Sequence, residues 1–205
     1  MAETAIVLYV VYLALAFGLR TAIQLRKTGS TGFHGLGGRP GSPEWLAGIG
    51  FAVALVLGAA APVLAAANVV EPIDPLDGTA GHTLGLTLSV LGIAATLYAQ
   101  IAMGSSWRIG VDPTERTELV TSGPFALVRN PIFAAMLPTA LGLTLLVPNW
   151  VAISGFVGLI VALELQVRVV EEPYLLDVHG TTYAEYTARV GRFFPRLSRL
   201  SGDRT

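Results

Sequence analysis

The segment GPFALVRNPIF, residues 123–133, places an arginine and an asparagine immediately before a long apolar run. An arginine at such a position can bind a carboxylate group through charge-assisted hydrogen bonds. The same residues also suit the start of a helix, because Asn130 is favoured at the N-cap and Pro131 at the first helical position. Two interpretations therefore stay open: an ordinary helix start, or one wall of a binding site.

A second segment, ELQVRVVEEPY at 164–174, contains four charged residues where another apolar run ends. Glu164 lies within the apolar stretch, and an ionisable residue at that depth is a candidate for function. It can also simply pair with Arg168, four residues later on the same helix face. Glu171 and Glu172 follow where the helix is expected to leave the bilayer. These two carboxylates can bind a cation or form part of a solvated surface.

The composition indicates that a lipid bilayer surrounds most of this chain. Of the 205 residues, 53% are hydrophobic and only 13% are charged, about half the charged fraction of a typical soluble domain. The net charge of −1 argues against a nucleic-acid partner. The sequence has no cysteine, which excludes disulfides and thiolate chemistry. His34, His82 and His179 are too scattered along the chain to predict a metal site.

Uncharged stretches of about the length of a transmembrane helix, roughly 20 residues, occur four times. They are Thr4–Leu19, Trp45–Val70, Gly81–Trp107 and Pro131–Leu163. The last is too long for one helix, and VPNW at 147–150 predicts a tight turn that divides it into a hairpin. The first lacks the basic segment that precedes the apolar run of a signal peptide, so we expect it to stay in the protein. The sequence thus predicts an all-α integral membrane protein, one transmembrane domain over residues 1–205 with five transmembrane helices.

The chain after the last span predicts an amphipathic tail helix on the cytoplasmic side. Its apolar stripe, at 3-4-3 spacing, consists of Tyr183, Tyr186, Val190 and Phe193. With five spans, all 13 basic residues fall on the same side of the membrane as the C-terminus. The positive-inside rule then predicts that the N-terminus is outside and that the tail and both polar segments are cytoplasmic. We expect the membrane to be the inner membrane of a bacterium.

Together, the two polar segments resemble the motifs of a known family. LVTSGPFALVRNPIF (119–133) is similar to a turn followed by Arg-His-Pro-x-Tyr. EEPYLLDVHGTTYAEYTARVGRFFP (171–195) is similar to a Glu-Glu, Gly-x-x-Tyr-x-x-Tyr, Pro ending. Both motifs are found in the isoprenylcysteine carboxyl methyltransferases and their bacterial relatives, which include phospholipid N-methyltransferases. GSSWRIGVD at 104–112 also looks like a stretch common in bacterial members. The resemblance implies a methyltransferase-like catalytic core over residues 98–195.

The resemblance implies a site for S-adenosylmethionine (SAM) between the hairpin entrance and the segment after the membrane. The positions that match the family's cofactor contacts, with the adjoining arginine, are Thr117, Glu118, Leu119, Val120, Phe125, Arg129, Asn130, Pro131, Ile132, Phe133 and Glu171. The chemistry of the cofactor agrees with this assignment. The Glu171 carboxylate suits its ammonium group, an arginine suits its carboxylate, and aromatic faces such as Phe125 and Phe133 suit its sulfonium.

Three departures from the family pattern are visible. The family's histidine is Asn130 here, and its two tyrosine positions are Phe125 and Phe133. The family's substrate-contacting arginine falls at Val167, with Arg168 one residue later and on a different helix face. The first two changes remove no charge that the cofactor needs, whereas the third concerns the substrate.

The resemblance further implies that the protein transfers a methyl group from SAM to a lipid or a lipophilic small molecule. Such an in-line displacement mainly needs alignment and the exclusion of water. A carboxylate acceptor would need only a cation such as Arg168 to position it. An amine acceptor would need a base, for which Glu164 and Glu172 are candidates. No metal is required.

Two alternatives stay open. Sterol reductases have a related membrane core and use NADPH, and such an enzyme would need further basic contacts for the 2′-phosphate. The other alternative is a non-catalytic transport or assembly protein on the same scaffold. A transporter would show polar residues at mid-bilayer or internal repeats, and only Glu164 matches that description.

Overall fold

The computed structural model describes residues 1–33, 35, 37–108, 110 and 118–196. In this part of the chain the regular structure is helical, and an isolated β-bridge joins Val128 and Gly191. The α-helices are α1 (Ala2–Leu13), α2 (Arg20–Thr28), α3 (Pro43–Ala66), α4 (Thr79–Met103), α5 (Pro131–Leu146), α6 (Trp150–Leu165) and α7 (Glu172–Arg189). Short 3-10 turns occupy Gly104–Ser106 and Gly123–Ala126, and π-helical segments occupy Ala14–Leu19 and Gln166–Glu171.

The prediction of an all-α integral membrane protein is confirmed. Among the described residues, four continuous helical segments are long and apolar enough to cross a membrane: Ala2–Thr28, Pro43–Ala66, Thr79–Ser106 and Trp150–Arg189. The fifth predicted span is the shorter apolar helix α5. About 20 residues cross a hydrocarbon core of roughly 30 Å, so a span that begins at Trp150 ends near Val169. Glu171 and the rest of the tail therefore lie beyond the membrane-spanning part.

The first span is longer than predicted. We expected it to end at Leu19, before a basic loop, but the chain continues through the π-helical segment and α2 to Thr28. Arg20 consequently lies inside the helix and is 3% exposed. Burial of this charge is possible because carbonyl groups at the end of α4 accept its hydrogen bonds. Sequence spacing alone gave no indication of those partners.

Helices α4 and α5 pack closely because small residues line their contact. A Cβ atom added to Gly142 of α5 would lie 2.5 Å from the Gly85 carbonyl oxygen and from the Ser89 amide nitrogen of α4. Small residues that allow two backbones to approach are typical of helix contacts in membranes. This contact joins the C-terminal half of α5 to the N-terminal half of α4.

The hairpin between α5 and α6 turns at Val147–Trp150, as predicted. The Asn149 side chain caps α6 by accepting a hydrogen bond from the Ala152 amide at 3.0 Å. The Asn149 amide group also donates to the Ala61 carbonyl at 3.3 Å, which ties the turn to α3. The Pro148 carbonyl accepts from the Ile73 amide at 2.7 Å.

The tail helix α7 is kinked at Gly180, whose φ of 51° is in the region that favours glycine. Beyond the kink, Tyr183, Tyr186 and Val190 form a buried cluster against Leu119 and Leu175. The predicted stripe is therefore wrong in part, because α7 ends at Arg189 and Val190 has extended backbone angles. Val190 and Phe193 follow the helix, and Tyr183, Tyr186 and Val190 pack with Leu119 of the segment before α5.

We predict that Gly142→Ala lowers the free energy of unfolding in detergent by about 1–3 kcal/mol, because the new methyl group overlaps the α4 backbone. The matched control is Gly158→Ala on α6, where an added Cβ meets nothing within 4 Å. Both changes favour a helix locally, so only Gly142→Ala should lower the melting temperature. Equal melting temperatures for the two variants would contradict the close contact between α4 and α5.

Candidate functional site

The chain before α5 and the chain after α7 are joined directly. The Arg129 amide donates to the Gly191 carbonyl at 2.8 Å, and the Asn130 amide donates to the Arg192 carbonyl at 3.1 Å. The Tyr186 hydroxyl donates to the Phe125 carbonyl at 2.6 Å. The two segments that the sequence analysis selected, far apart in the chain, therefore form one structural unit.

A charged triad of Arg129, Glu172 and Arg192 stands at the centre of this unit. Arg192 binds Glu172 in bidentate fashion, with nitrogen–oxygen distances of 2.8 and 2.7 Å. Arg129 donates to the same carboxylate at 2.5 Å and to the Val190 carbonyl at 2.6 Å. Burial alone would raise the pKa of Glu172, but the hydrogen bonds from Arg192 and Arg129 outweigh it and hold the pKa below its ordinary value.

The two interpretations of Arg129 and Asn130 can now be compared with the geometry. Asn130 is the N-cap residue of α5 and Pro131 its first residue, as expected. The Asn130 side chain, however, makes no capping hydrogen bond and donates instead to the Arg192 carbonyl at 3.3 Å. Arg129 is largely engaged in the triad, although its Nε atom is buried and has no partner among the described residues.

Glu171 is held less tightly than its neighbour Glu172. It ends the π-helical segment, and among the described residues its carboxylate accepts one hydrogen bond, from the Gln166 amide at the long distance of 3.5 Å. Burial raises the pKa of Glu171 to about 7, although Gln166 and the nearby charge of Arg108 act in the opposite direction. Arg108 itself lies over the ring of Tyr174, with 4.9 Å from its guanidinium carbon to the ring centre.

The predicted residues 118–120 precede the 3-10 turn that leads to α5. Thr117 lies outside the described residues. The Glu118 carbonyl accepts a hydrogen bond from the Ser106 hydroxyl at 3.3 Å. Leu119 and Val120 are half-buried, and in the described part of the chain they make no backbone–backbone hydrogen bond.

The predicted apolar residues at the start of α5 face inward. Phe125 and Pro131 are buried. Ile132 and Phe133 pack against the core cluster that contains Tyr12 of α1, Met136 of α5 and Leu159 of α6. Their contacts are therefore with the core of the helix bundle.

The predicted pair of Glu164 and Arg168 is confirmed, since the Arg168 Nε atom donates to the Glu164 carboxylate. Both side chains are substantially exposed, at 37% and 59%. The charge of Glu164 still acts on Arg192 of the triad. Val167 is fully buried, so it and Arg168 lie on different faces of the helix, as the spacing predicted.

Sequence reasoning missed a polar network that connects the first helix to the site. Arg20 donates to Gln24 at 3.1 Å, to the Gln100 carbonyl at 3.3 Å and to the Gly104 carbonyl. Its guanidinium also lies 4.6 Å from the ring centre of Trp107, the residue before Arg108. The available signal was weak: Arg20 and Gln24 are four apart, and Gln100 is a polar residue within an apolar span.

These features define a class of protein: a helical membrane protein whose last helical hairpin and polar tail enclose a charged site at one membrane surface. A model of the phospholipid methyltransferase family matches residues 80–182 of this chain, which is half of its length. The chain therefore belongs to the phospholipid methyltransferase family. The matched region contains the triad residues Arg129 and Glu172 as well as Glu171, and it begins at α4.

Three relatives are similar over just over half of the chain. The cobalt-zinc-cadmium resistance protein CzcN of Cupriavidus metallidurans is 32% identical over 63% of this chain and 57% of its own length. The nickel-cobalt-cadmium resistance protein NccN of Alcaligenes xylosoxydans xylosoxydans is 26% identical over 58% and 54%. The protein-S-isoprenylcysteine O-methyltransferase B of Arabidopsis thaliana is 29% identical over 52% and 55%. The alignments thus span little more than half the length of each relative.

We predict that Glu172→Gln releases the tail from the hairpin entrance, because two arginines lose their common anion. A hydrogen bond to a charged group contributes about 1.5–3 kcal/mol, so limited proteolysis should cut the tail much faster in the variant. The matched control is Glu185→Gln, since Glu185 is exposed on the same helix. Equal cleavage rates in the two variants would show that the triad does not hold the tail.

Proposed function

We propose that the protein is a SAM-dependent methyltransferase of the membrane that methylates a lipid or a lipophilic small molecule. The observation that carries the proposal is the direct attachment of the tail to the hairpin entrance, in which Arg129 and Glu172 of the family-matched region bind each other and Arg192, after that region, binds Glu172. It places the glutamate pair beside the residues that start α5. On this proposal, residues 98–195 form the catalytic core.

The residues of the site fit the charged groups of SAM. Within the described part of the chain Glu171 accepts one long hydrogen bond, so its carboxylate retains the capacity to accept bonds from an ammonium group. The buried Nε atom of Arg129 has no partner among the described residues and can donate to a carboxylate. Arg108, whose charge acts on Glu171, is a second cation at this edge of the site.

The segment before α5 also offers groups that can bind the uncharged adenine part of the cofactor. The backbone of Leu119 and Val120 offers hydrogen-bonding groups that make no backbone bond in the described part of the chain. Such groups can bind the polar edge of an adenine ring. Phe125 supplies an aromatic ring at the same segment, although its buried position makes it a wall of the site.

When bound, SAM supplies a methyl group on a sulfonium, which is already a good leaving group. The protein's contribution is then to hold both reactants in line and to keep water out. Glu172 is ionised and bound by two arginines, so its role is to fix the tail, and it is a poor base. For an amine acceptor, Glu164 is the remaining candidate base, and for a carboxylate acceptor Arg168 is the positioning cation.

The surroundings of the site support a lipophilic acceptor. Apolar helices border it, so a lipophilic acceptor can approach from the bilayer while SAM enters from water. The family description and the name of the plant relative both fit this substrate class. The metal-resistance names of the two bacterial relatives favour one competing proposal, a non-catalytic role on the same scaffold.

The proposed orientation places the site in the cytoplasm, where SAM is made. It rests on the 13 basic residues, which all fall on the side of the site when five spans are counted. The N-terminus is then outside, and the membrane is the inner membrane of a bacterium.

We predict that the purified protein binds S-adenosylhomocysteine with micromolar affinity and that Glu171→Gln weakens the binding at least tenfold. One lost charge-assisted hydrogen bond of about 1.5–3 kcal/mol accounts for that change. Calorimetry in detergent measures it, with Glu185→Gln as the matched variant and NADPH as the control ligand. Binding of NADPH in place of S-adenosylhomocysteine would favour a reductase, and binding of neither ligand would contradict the proposal.

The affinity for S-adenosylhomocysteine, measured in the same calorimetric titration, should depend on pH. Because the Glu171 carboxyl has a pKa of about 7, it is mostly protonated at pH 6 and must lose its proton to receive an ammonium group. The affinity of the wild-type protein should therefore fall between pH 8 and pH 6, whereas that of Glu171→Gln should change little. Parallel pH profiles would show that Glu171 does not bind the ammonium group.

A further inference from the structure

A cavity lies among α1, α3, α5 and α6, inside the membrane-spanning part of the bundle. Its volume is about 50 Å³, and its wall is almost entirely apolar. Tyr9, Tyr12, Ala54, Met136 and Leu159 are among the lining residues. Two of the contributing helices, α1 and α3, precede the family-matched region, so the cavity is not a part of the site described above.

One polar atom of the cavity wall is left without a partner. Tyr12 is 4% exposed, and its hydroxyl makes no hydrogen bond in the described part of the chain. The other hydroxyls of the wall are satisfied: Tyr9 donates to the Leu55 carbonyl at 2.5 Å, and Thr139 and Thr144 donate to carbonyls one turn earlier in α5. A buried hydroxyl without a partner is unusual and points to a missing group.

The position of Tyr12 determines which groups can reach it. With a rise of about 1.5 Å per residue, Tyr12 lies roughly 15 Å along the helix from Ala2, about half the thickness of the hydrocarbon core. A water molecule needs two to four polar partners, and the cavity wall offers this one unpaired group. An oxygen atom carried on an apolar molecule suits the site better.

The size of the cavity limits the shape of its occupant. By the same measure of volume, about 10–15 Å³ holds one water molecule, so the cavity is about three to five waters in size. That space takes a short stretch of aliphatic chain, and it is too small for a fused ring system.

We propose that the cavity binds a membrane-dissolved aliphatic molecule with a hydroxyl or carbonyl oxygen to which the Tyr12 hydroxyl donates a hydrogen bond. Tyr12 and Met136 face this ligand from α1 and α5, respectively. Met136 is five residues after Pro131, about 7.5 Å along α5 from the candidate active site. Occupancy of the cavity does not depend on SAM.

The test uses octanol that carries a photoreactive diazirine in its chain and, as a second probe, the matched diazirine octane without a hydroxyl. The full-length protein in nanodiscs is labelled over a range of probe concentrations, and the labelled residues are mapped by mass spectrometry. We expect saturable labelling of Tyr12 or Met136 by the alcohol. Labelling that does not saturate, or that spreads evenly over lipid-facing residues, would overturn the proposal.

Two variants separate the contribution of the Tyr12 hydroxyl from that of the cavity volume. Tyr12→Phe keeps the volume and should weaken labelling by the alcohol about fivefold to tenfold, the loss of one neutral hydrogen bond. The same variant should leave labelling by the hydrocarbon probe unchanged, and equal affinities for the alcohol in both proteins would contradict the proposal. Ala54→Leu fills the cavity and should reduce labelling by both probes, with Tyr12→Phe remaining informative if Ala54→Leu does not fold.

Discussion

The attachment of the tail to the start of α5 depends on one carboxylate shared by two arginines. Glu172 lies between Arg129 and Arg192, and backbone hydrogen bonds from residues 129 and 130 to residues 191 and 192 run beside it. An ion pair of this kind adds little to stability compared with an apolar contact of the same size, but removal of one member leaves an unpaired charge. The triad therefore specifies one arrangement of tail and hairpin. This arrangement brings the segments that contain the candidate cofactor residues together.

A second polar cluster stabilises the C-terminal end of α4. Arg20 binds the carbonyl groups that α4 leaves unpaired at its C-terminal end, where a cation is also favoured by the helix dipole. Gln24 adds a hydrogen bond to the Ser105 carbonyl at 2.7 Å. The first helix, which lies outside the family-matched region, thus fixes the segment that leads to Trp107 and Arg108.

Much of the fold could be predicted from the sequence because its signals are local. Apolar length predicted the spans, Pro148 and Asn149 predicted the hairpin turn, and the spacing of Glu164 and Arg168 predicted their pairing. The errors concern residues whose role depends on distant partners. Arg20 was expected to end a helix, and only the carbonyls of α4 explain its burial.

The two segments of the candidate site could be predicted from the sequence, but the side-chain contacts between them could not. The resemblance selected Arg129, Asn130, Glu171 and Glu172, and the structure brings their two segments together. The resemblance could not show which of the two glutamates binds the arginines. Adjacent helical residues point in directions about 100° apart, so only one of them faces Arg129 and Arg192, and the structure shows that it is Glu172. The resemblance also did not identify Arg192 as the third member of the triad.

The most direct test of the account is methyl transfer itself. SAM with a radioactive methyl group would be incubated with the purified protein in nanodiscs made from a bacterial lipid extract, and the organic phase would then be counted. The account predicts protein-dependent labelling of a lipid-soluble product, with a strong reduction in Glu171→Gln. Binding of SAM without any labelled lipid-soluble product would contradict it and would support a non-catalytic role.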